Sequence, residues 1–173
     1  LLSQVESLFS EPSEFGLSNL LNNFFNSWDE LALDPQSLSL RTGVVQSAQV
    51  LSEKFSTIYK GISQTRLSAR AEANDTANQI NGILKQLNTV NKQIYEGAVV
   101  GNSVNDLVDT RDALLEELSQ FANINVSIDE NQVANVSIGG VFAVDGLHYQ
   151  QFEIKQRNDK LIFATENNEA AAT

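Results

Sequence analysis

The sequence predicts a mainly α fold with a small β appendage: an elongated antiparallel helical bundle with very long helices, followed by an antiparallel β-meander. Three observations predict it. An apolar seam at heptad spacing runs through Val44, Ala48, Leu51, Phe55, Ile58 and Ile62. It weakens over Thr65, Ala69, Ala73 and Thr76, then resumes as Ile80, Ile83, Leu87, Val90 and Ile94. Steps that alternate four and three put one stripe of a helix against other long helices. No proline follows Pro35, so none interrupts that helix. From Ile124 the apolar period changes to two, with Gly-Gly and Asp-Gly between short runs, the pattern of hairpins with positive-φ turns.

Composition limits what such a fold can do. The 173 residues suffice for one domain, or for a helical body with a small appendage. Eleven Lys and Arg against 22 Asp and Glu give a net charge of −11. A surface that acidic repels phosphate backbones and anionic lipid, so neither nucleic acid nor a membrane is expected as a partner. With no cysteine, disulfides and zinc–thiolate sites are excluded. No apolar run approaches the roughly 18 residues of a membrane span. The opening Leu1-Leu2-Ser3-Gln4-Val5-Glu6 lacks the basic and apolar parts of a signal peptide. With no initiating methionine, the chain is expected to be an interior piece of a longer protein.

Taken in order, Leu1, Val5, Leu8 and Phe9 share one face of a short helix, which Ser10-Glu11-Pro12-Ser13 should end. A second helix is expected over 17–33, where Leu17, Leu20, Leu21, Phe24, Phe25, Trp28 and Leu31 form a packing stripe. Asp34-Pro35 then offers an N-cap and a first helical residue. The long helix should run from there to about Glu96, roughly 90 Å at 1.5 Å per residue. Gly61 and Gly82 leave open whether it is one helix or two, since each costs about 1 kcal/mol relative to alanine. Gly97 or Gly101 should close it. Ser103, with Asp106 three residues on, fits a capping box for a following helix. That helix continues through Leu107, Leu114, Leu118 and Phe121, and Arg111 falls inside its apolar seam, where a guanidinium needs a carboxylate or must snorkel. Short strands are expected over 125–128, 133–138, 141–144, 147–154 and 161–164, with turns at Asp129-Glu130-Asn131, Gly139-Gly140, Asp145-Gly146 and Asn158-Asp159. The polar residues from Glu166 to Thr173 should form a frayed edge. The pattern divides at 122/123 into a helical rod domain, 1–122, and a β region, 123–173, opening an outer domain.

Catalytic chemistry finds no support. Asp106, Asp109 and Asp112 recur every three residues around Arg111, but carboxylates at that spacing drift round a helix instead of converging on one ion. Early in a helix they suit its dipole. His148 is the only histidine, placed on a strand surface with no nucleophile or orienting acid that the pattern identifies. Gly139-Gly140 is a hairpin turn, not a phosphate loop. The Asn-X-Ser/Thr tripeptides at Asn74, Asn125 and Asn135 are expected by chance in a chain this rich in Asn and Ser. No enzyme activity, catalytic residue, cofactor or metal is expected.

The order of motifs resembles a known family. An aromatic helix ends at Asp34-Pro35, and Arg41 precedes Val44-Val45-Gln46-Ser47-Ala48 and Leu51. Gln79-Ile80-Asn81 and Leu87-Asn88-Thr89-Val90-Asn91-Lys92-Gln93-Ile94 lie in the long helix. Asn105-Asp106-Leu107-Val108-Asp109-Thr110-Arg111-Asp112 follows the glycine turn. Over residues 1 to about 146 this is similar to the central part of the first flagellar hook-associated proteins, the hook–filament junction proteins of FlgK type. Val108 and Thr110 depart from leucine and glutamine. The resemblance implies a structural subunit exported unfolded through the flagellar secretion apparatus, extracellular, and assembled as a ring between hook and filament. Implied partners are hook protein, other hook-associated proteins and further copies, while a piece lacking the terminal segments should be monomeric. It implies a structural signature at Arg41, Asn105, Asp106, Asp109, Arg111 and Asp112; on physical grounds the expected work of Asn105, Asp106, Arg111 and Asp112 is capping and a buried or half-buried ion pair holding the short helix to the rod. Alternatives are flagellin, the third hook-associated protein, or a secreted adhesin with a coiled-coil stalk, which would form a parallel oligomer.

Overall fold

A computed structural model describes residues 2–9, 15–158 and 160–166. The expected breaker at Ser10-Glu11-Pro12-Ser13, Asp159 of the last turn and the tail from 167 lie outside them. Among the described residues four helices come first: α1 (Leu2–Phe9), α2 (Leu17–Leu33), α3 (Leu38–Val99) and α4 (Asn105–Ser119). Six strands follow: β1 (Ile124–Ile128), β2 (Ala134–Ile138), β3 (Val141–Asp145), β4 (His148–Tyr149), β5 (Glu153–Arg157) and β6 (Lys160–Ala164). Among the described residues, no helix is long and apolar enough to cross a membrane. Two compact units divide the chain inside α3, Leu1–Ala69 and Arg70–Thr173, whereas the sequence pattern changes at 122/123. Compactness follows shared cores, and in the second unit strands and helices share one.

In the first unit the start of α3 differs from the expectation. Asp34 is not its N-cap and Pro35 is not its first residue. The Ser37 N–H donates to the Asp34 carbonyl at 3.1 Å, closing a β-turn that places Pro35 at the second position, where its fixed φ is favoured. Ser37 then flanks the helix, its Oγ accepting from the Leu40 N–H at 3.4 Å and its carbonyl from the Arg41 N–H at 3.2 Å. The turn sends α3 back alongside α2, where Ser27 Oγ and Ser47 Oγ share a hydrogen bond of 2.8 Å. Phe24, Trp28 and Leu31 line an apolar groove with Val44, Val45 and Ala48. Phe24 meets Phe25 and Trp28 edge to face.

Burial along the seam is uneven. Val44, Leu51 and Ile58, seven residues apart, are buried, but Phe55 and Ile62 stay 50% and 42% exposed. α2 itself contains no fully buried residue. The two short helices thus cover one side of the stripe and leave the other in solvent, contrary to the expectation of burial along its whole length.

The single helix α3 spans 62 residues, so neither Gly61 nor Gly82 breaks it. Their surroundings differ: a Cβ at Gly61 would run into the Leu8 side chain, while beyond the adjoining helix backbone no described residue lies within 4 Å of one at Gly82. Gly82→Ala is therefore expected to stabilise the fold by about 1 kcal/mol through helix propensity, measured by urea unfolding. Gly61→Ala should fall short of that gain, because the new methyl displaces Leu8. Equal gains at both sites would contradict the α1–α3 contact.

The second unit opens on a helix reversal. α3 ends in a Schellman motif, with the Asn102 N–H donating to the Gly97 carbonyl at 2.9 Å and the Gly101 N–H to Ala98 at 3.1 Å. Gly101 takes φ +74°, which glycine adopts without steric cost. Ser103 does not form the expected capping box. Val104 occupies the N-cap position of α4, with no side-chain cap, and its carbonyl accepts from the Leu107 and Val108 N–H groups. Val104 is buried, so chain entry is set by packing rather than by a serine hydroxyl. Phe121 lies beyond the end of α4.

The β region is two sheets, not one meander. Among the described residues, β1 to β4 form a four-stranded sheet in chain order, and β5 and β6 form a separate two-stranded sheet. All pairings are antiparallel, with a register shift between Val136 and Ser137 where β2 meets β3. Gly139 and Gly140, both at positive φ, make the two-residue turn into β3. Asp145 belongs to β3 and pairs with His148, leaving Gly146-Leu147 as the next turn. The strand expected over 147–154 is interrupted because Phe152 turns into the core, where its ring stacks on Phe163 at 4.4 Å. A helix side chain takes its backbone groups, as described below. Ile83, Leu84, Leu87 and Ile94 of α3, Leu114 and Leu118 of α4, and Val136, Ala143 and Val144 of the sheet belong to one buried cluster.

Candidate functional site

The site is assembled on α4. Leu107, Arg111, Leu114 and Leu118 follow steps of four, three and four, so the apolar stripe carries Arg111 inward with it. Arg111 is only 4% exposed. Its Nε and Nη2 both donate to Asp112 Oδ1, at 2.9 and 2.7 Å, and its Nη1 donates to the Gln132 carbonyl at 2.8 Å. Asp112 has 58% of its side chain exposed, so the pair has one buried and one solvated member. The carboxylate stays hydrated while the guanidinium is compensated by charge-assisted bonds.

Gln132 explains what the third bond does. It sits at φ +63°, a left-handed conformation uncommon outside glycine and mildly strained for other side chains. The β1–β2 turn around it is closed by Asp129, whose Oδ1 accepts from the Asn131 and Val133 N–H groups at 2.9 Å each. The Gln132 N–H donates to the Asp129 carbonyl at 3.0 Å, leaving the Gln132 carbonyl aimed at Arg111. The ion pair therefore joins α4 to the β1–β2 turn. It does not join α4 to the long helix, as the sequence suggested, because the carboxylate is the next residue of α4 itself.

The other positions expected to form a signature do separate local work. Arg41 is in the other compact unit, where its Nε and Nη2 both donate to the Pro35 carbonyl, at 2.9 and 2.6 Å, closing the α2–α3 turn. Asn105, Asp106 and Asp109 are exposed on the first turns of α4. Asp106 accepts from Thr110 Oγ1 through its main-chain carbonyl. Among the described residues, no group of three or more His, Cys, Asp or Glu could hold a metal ion.

Sequence reasoning missed the two asparagines that tie the strands to α3. Asn91 is fully buried. Its Nδ2 donates to the Ala134 carbonyl at 2.8 Å and to Gly146 at 3.3 Å, and its Oδ1 accepts from the Ala134 N–H at 3.1 Å. Asn81 does the same for Phe152, with 2.7 Å to its carbonyl and 2.8 Å from its N–H. A primary amide presents one donor and one acceptor side by side, as a neighbouring strand does. Asn88, lying between them in sequence, is also buried, but its Oδ1 has no hydrogen-bond partner among the described residues. The available signal was an asparagine on the apolar side of the seam, where an unpaired amide is costly.

The geometry is that of a helical scaffold with strands pinned to it, and comparison with known proteins agrees. A family model described as the flagellar hook-associated protein FlgK helical domain matches residues 2–172. The chain belongs to this family. It is 36% identical over 130 residues to flagellar hook-associated protein 1 of Bacillus subtilis, covering 75% of this chain and 26% of that protein. With flagellar hook-associated protein 1 of Salmonella typhimurium the identity is 26% over 145 residues, 83% of this chain and again 26% of the relative. The chain thus spans about a quarter of the length of these relatives. The solved structure of the flagellar hook junction protein FlgK from Burkholderia pseudomallei has the same fold, with a TM-score of 0.76 at 24% identity over 99% of this chain and 32% of that one. Within the FlgK helical-domain family the expected fold class is therefore met: helices with one very long member, then antiparallel strands.

Proposed function

We propose that this chain is the helical-domain portion of a non-enzymatic axial subunit of the bacterial flagellum. The subunit joins hook to filament by associating with further copies in a junction ring, outside the cell, after export by the flagellar secretion apparatus. Its partners are hook protein and other hook-associated proteins. Membership of the FlgK helical-domain family carries this reading. The incompletely covered seam supports it, because Phe55 and Ile62 of the seam, with Tyr59 on the same face of α3, leave large apolar side chains in solvent, and exposure of that kind marks protein–protein contact. In this role Arg41, Arg111 and Asp112 do local structural work, holding a turn and a helix in place.

Sedimentation equilibrium tests the reading. This chain alone is expected to be monomeric, and the intact subunit with its terminal segments should form rings or filaments. A tight dimer or trimer of this chain by itself would make the seam an oligomerising stalk and overturn the proposal.

A further inference from the structure

The apolar seam of α3 by itself defines poorly where along the helix the strands sit. Ile80, Leu84, Leu87 and Ile94 are all large, aliphatic and buried, and they recur at helical spacing. A sheet displaced by one turn, about 5.4 Å, would meet much the same surface. Apolar contact is non-directional. A single buried asparagine removes this kind of degeneracy in coiled coils, where it fixes register at a cost in stability. Asn81 and Asn91 meet the same requirement here with better pairing, since each engages both backbone groups of one residue.

The two asparagines also serve different sheets. Asn91 holds Ala134 at the start of β2 and Gly146 in the β3–β4 turn, both in the four-stranded sheet. Asn81 holds Phe152, immediately before β5 of the two-stranded sheet. They stand ten positions apart on α3, about 15 Å along its axis. We propose that Asn91 and Asn81 are separate positioning residues, Asn91 fixing the axial register of the four-stranded sheet on α3 and Asn81 fixing that of the β5–β6 hairpin. The consequence for assembly rests on the junction-subunit reading, since sheet height on α3 determines which side surface a neighbouring copy meets. The register itself does not depend on that reading, and the following test does not use it.

This chain has no cysteine, so exposed sites in it can be labelled selectively. Spin labels at Lys85→Cys and Ser127→Cys report the height of the four-stranded sheet on α3. Labels at Lys85→Cys and Lys160→Cys report that of the hairpin. Distance distributions are measured by pulsed electron resonance in the intact polypeptide. Asn91→Ala is expected to shift or broaden the first distribution on the scale of a helical turn and to leave the second unchanged. Asn81→Ala should do the reverse. Leu114→Ala, which loosens the shared core without touching either amide, should leave both centred where they were. Should Asn91→Ala fail to fold, Asn91→Ser, whose one hydroxyl cannot replace both amide groups, gives the same reading. Unchanged distributions in both asparagine variants would overturn the proposal. So would any variant that moves both distances together, because register would then reside in the common core.

Discussion

Arg111→Ala is expected to destabilise the second compact unit by about 3 kcal/mol, within the range for breaking a buried ion pair. Most of that loss does not come from the attraction to Asp112. The carboxylate is largely solvated and rehydrates when the guanidinium is removed, and exposed pairs are worth little. The larger contributions are the lost packing of the arginine stem within the α4 stripe and the Gln132 carbonyl, which loses its partner at a turn already held at positive φ. Arg111→Met, which keeps the stem volume, should therefore recover part of the loss. Arg111→Lys should recover little more, since a single ammonium cannot reproduce the spread of the three donors. The appropriate measurement is urea unfolding followed by hydrogen exchange in α4 and in the β1–β2 turn. Trp28 fluorescence reports the other unit. A loss below about 1 kcal/mol for the alanine variant would remove the clamp as a structural element.

How much of this was legible in the sequence differs from element to element. The span of α2 and the extent of the helical pattern of α3 follow from periodicity, because a long apolar repeat without proline has few other solutions; that Gly61 and Gly82 leave it a single helix does not. The turn at Gly139-Gly140 follows from the need for positive φ, and the same need placed the end of α3 at Gly97 or Gly101, of which Gly101 takes it. The caps were misplaced for two different reasons. Asp34, Pro35 and Ser103 all have intrinsic preferences that fit a helix start, but Asp34 and Pro35 are used in a β-turn that leaves Ser37 to cap α3, and α4 begins at Asn105 after the buried Val104. Propensity is a weak prior against such tertiary constraints. The split between β4 and β5 was invisible for a related reason: residues 147–154 alternate well enough for one strand, and only Asn81, 71 positions upstream of Phe152, takes the backbone away.

The site was half legible. That Arg111 would be drawn into the seam and need a carboxylate follows from its spacing to Leu107, Leu114 and Leu118. Its second partner, a main-chain carbonyl, leaves no trace in side-chain identity. Asn81 and Asn91 fall inside the motif that carried the family resemblance, yet a sequence motif names residues without their contacts. Their role emerges only when Ala134 and Phe152 are seen against α3, since backbone acceptors and donors are the same at every residue.

Leu87→Ala is expected to cost about 3–4 kcal/mol, the larger part of which is the transfer free energy of the removed methylene groups and the rest the cavity left behind. The site has little room to collapse. Leu87 is fully buried, as are Leu84, Ile94, Leu118 and Val136 in the same cluster. That cluster draws on α3, α4 and the four-stranded sheet together, so the effect should not stay local. Hydrogen-exchange protection should fall in α4 and in β2 by similar factors, as expected when one core serves both. The asparagine contacts should persist in the folded population, because they fix position while the leucine supplies adhesion. If protection fell in α4 alone, the strands would be held by their amide contacts and not by the core. If the total loss stayed below about 1 kcal/mol, the cluster would be loosely packed at Leu87, contrary to its complete burial.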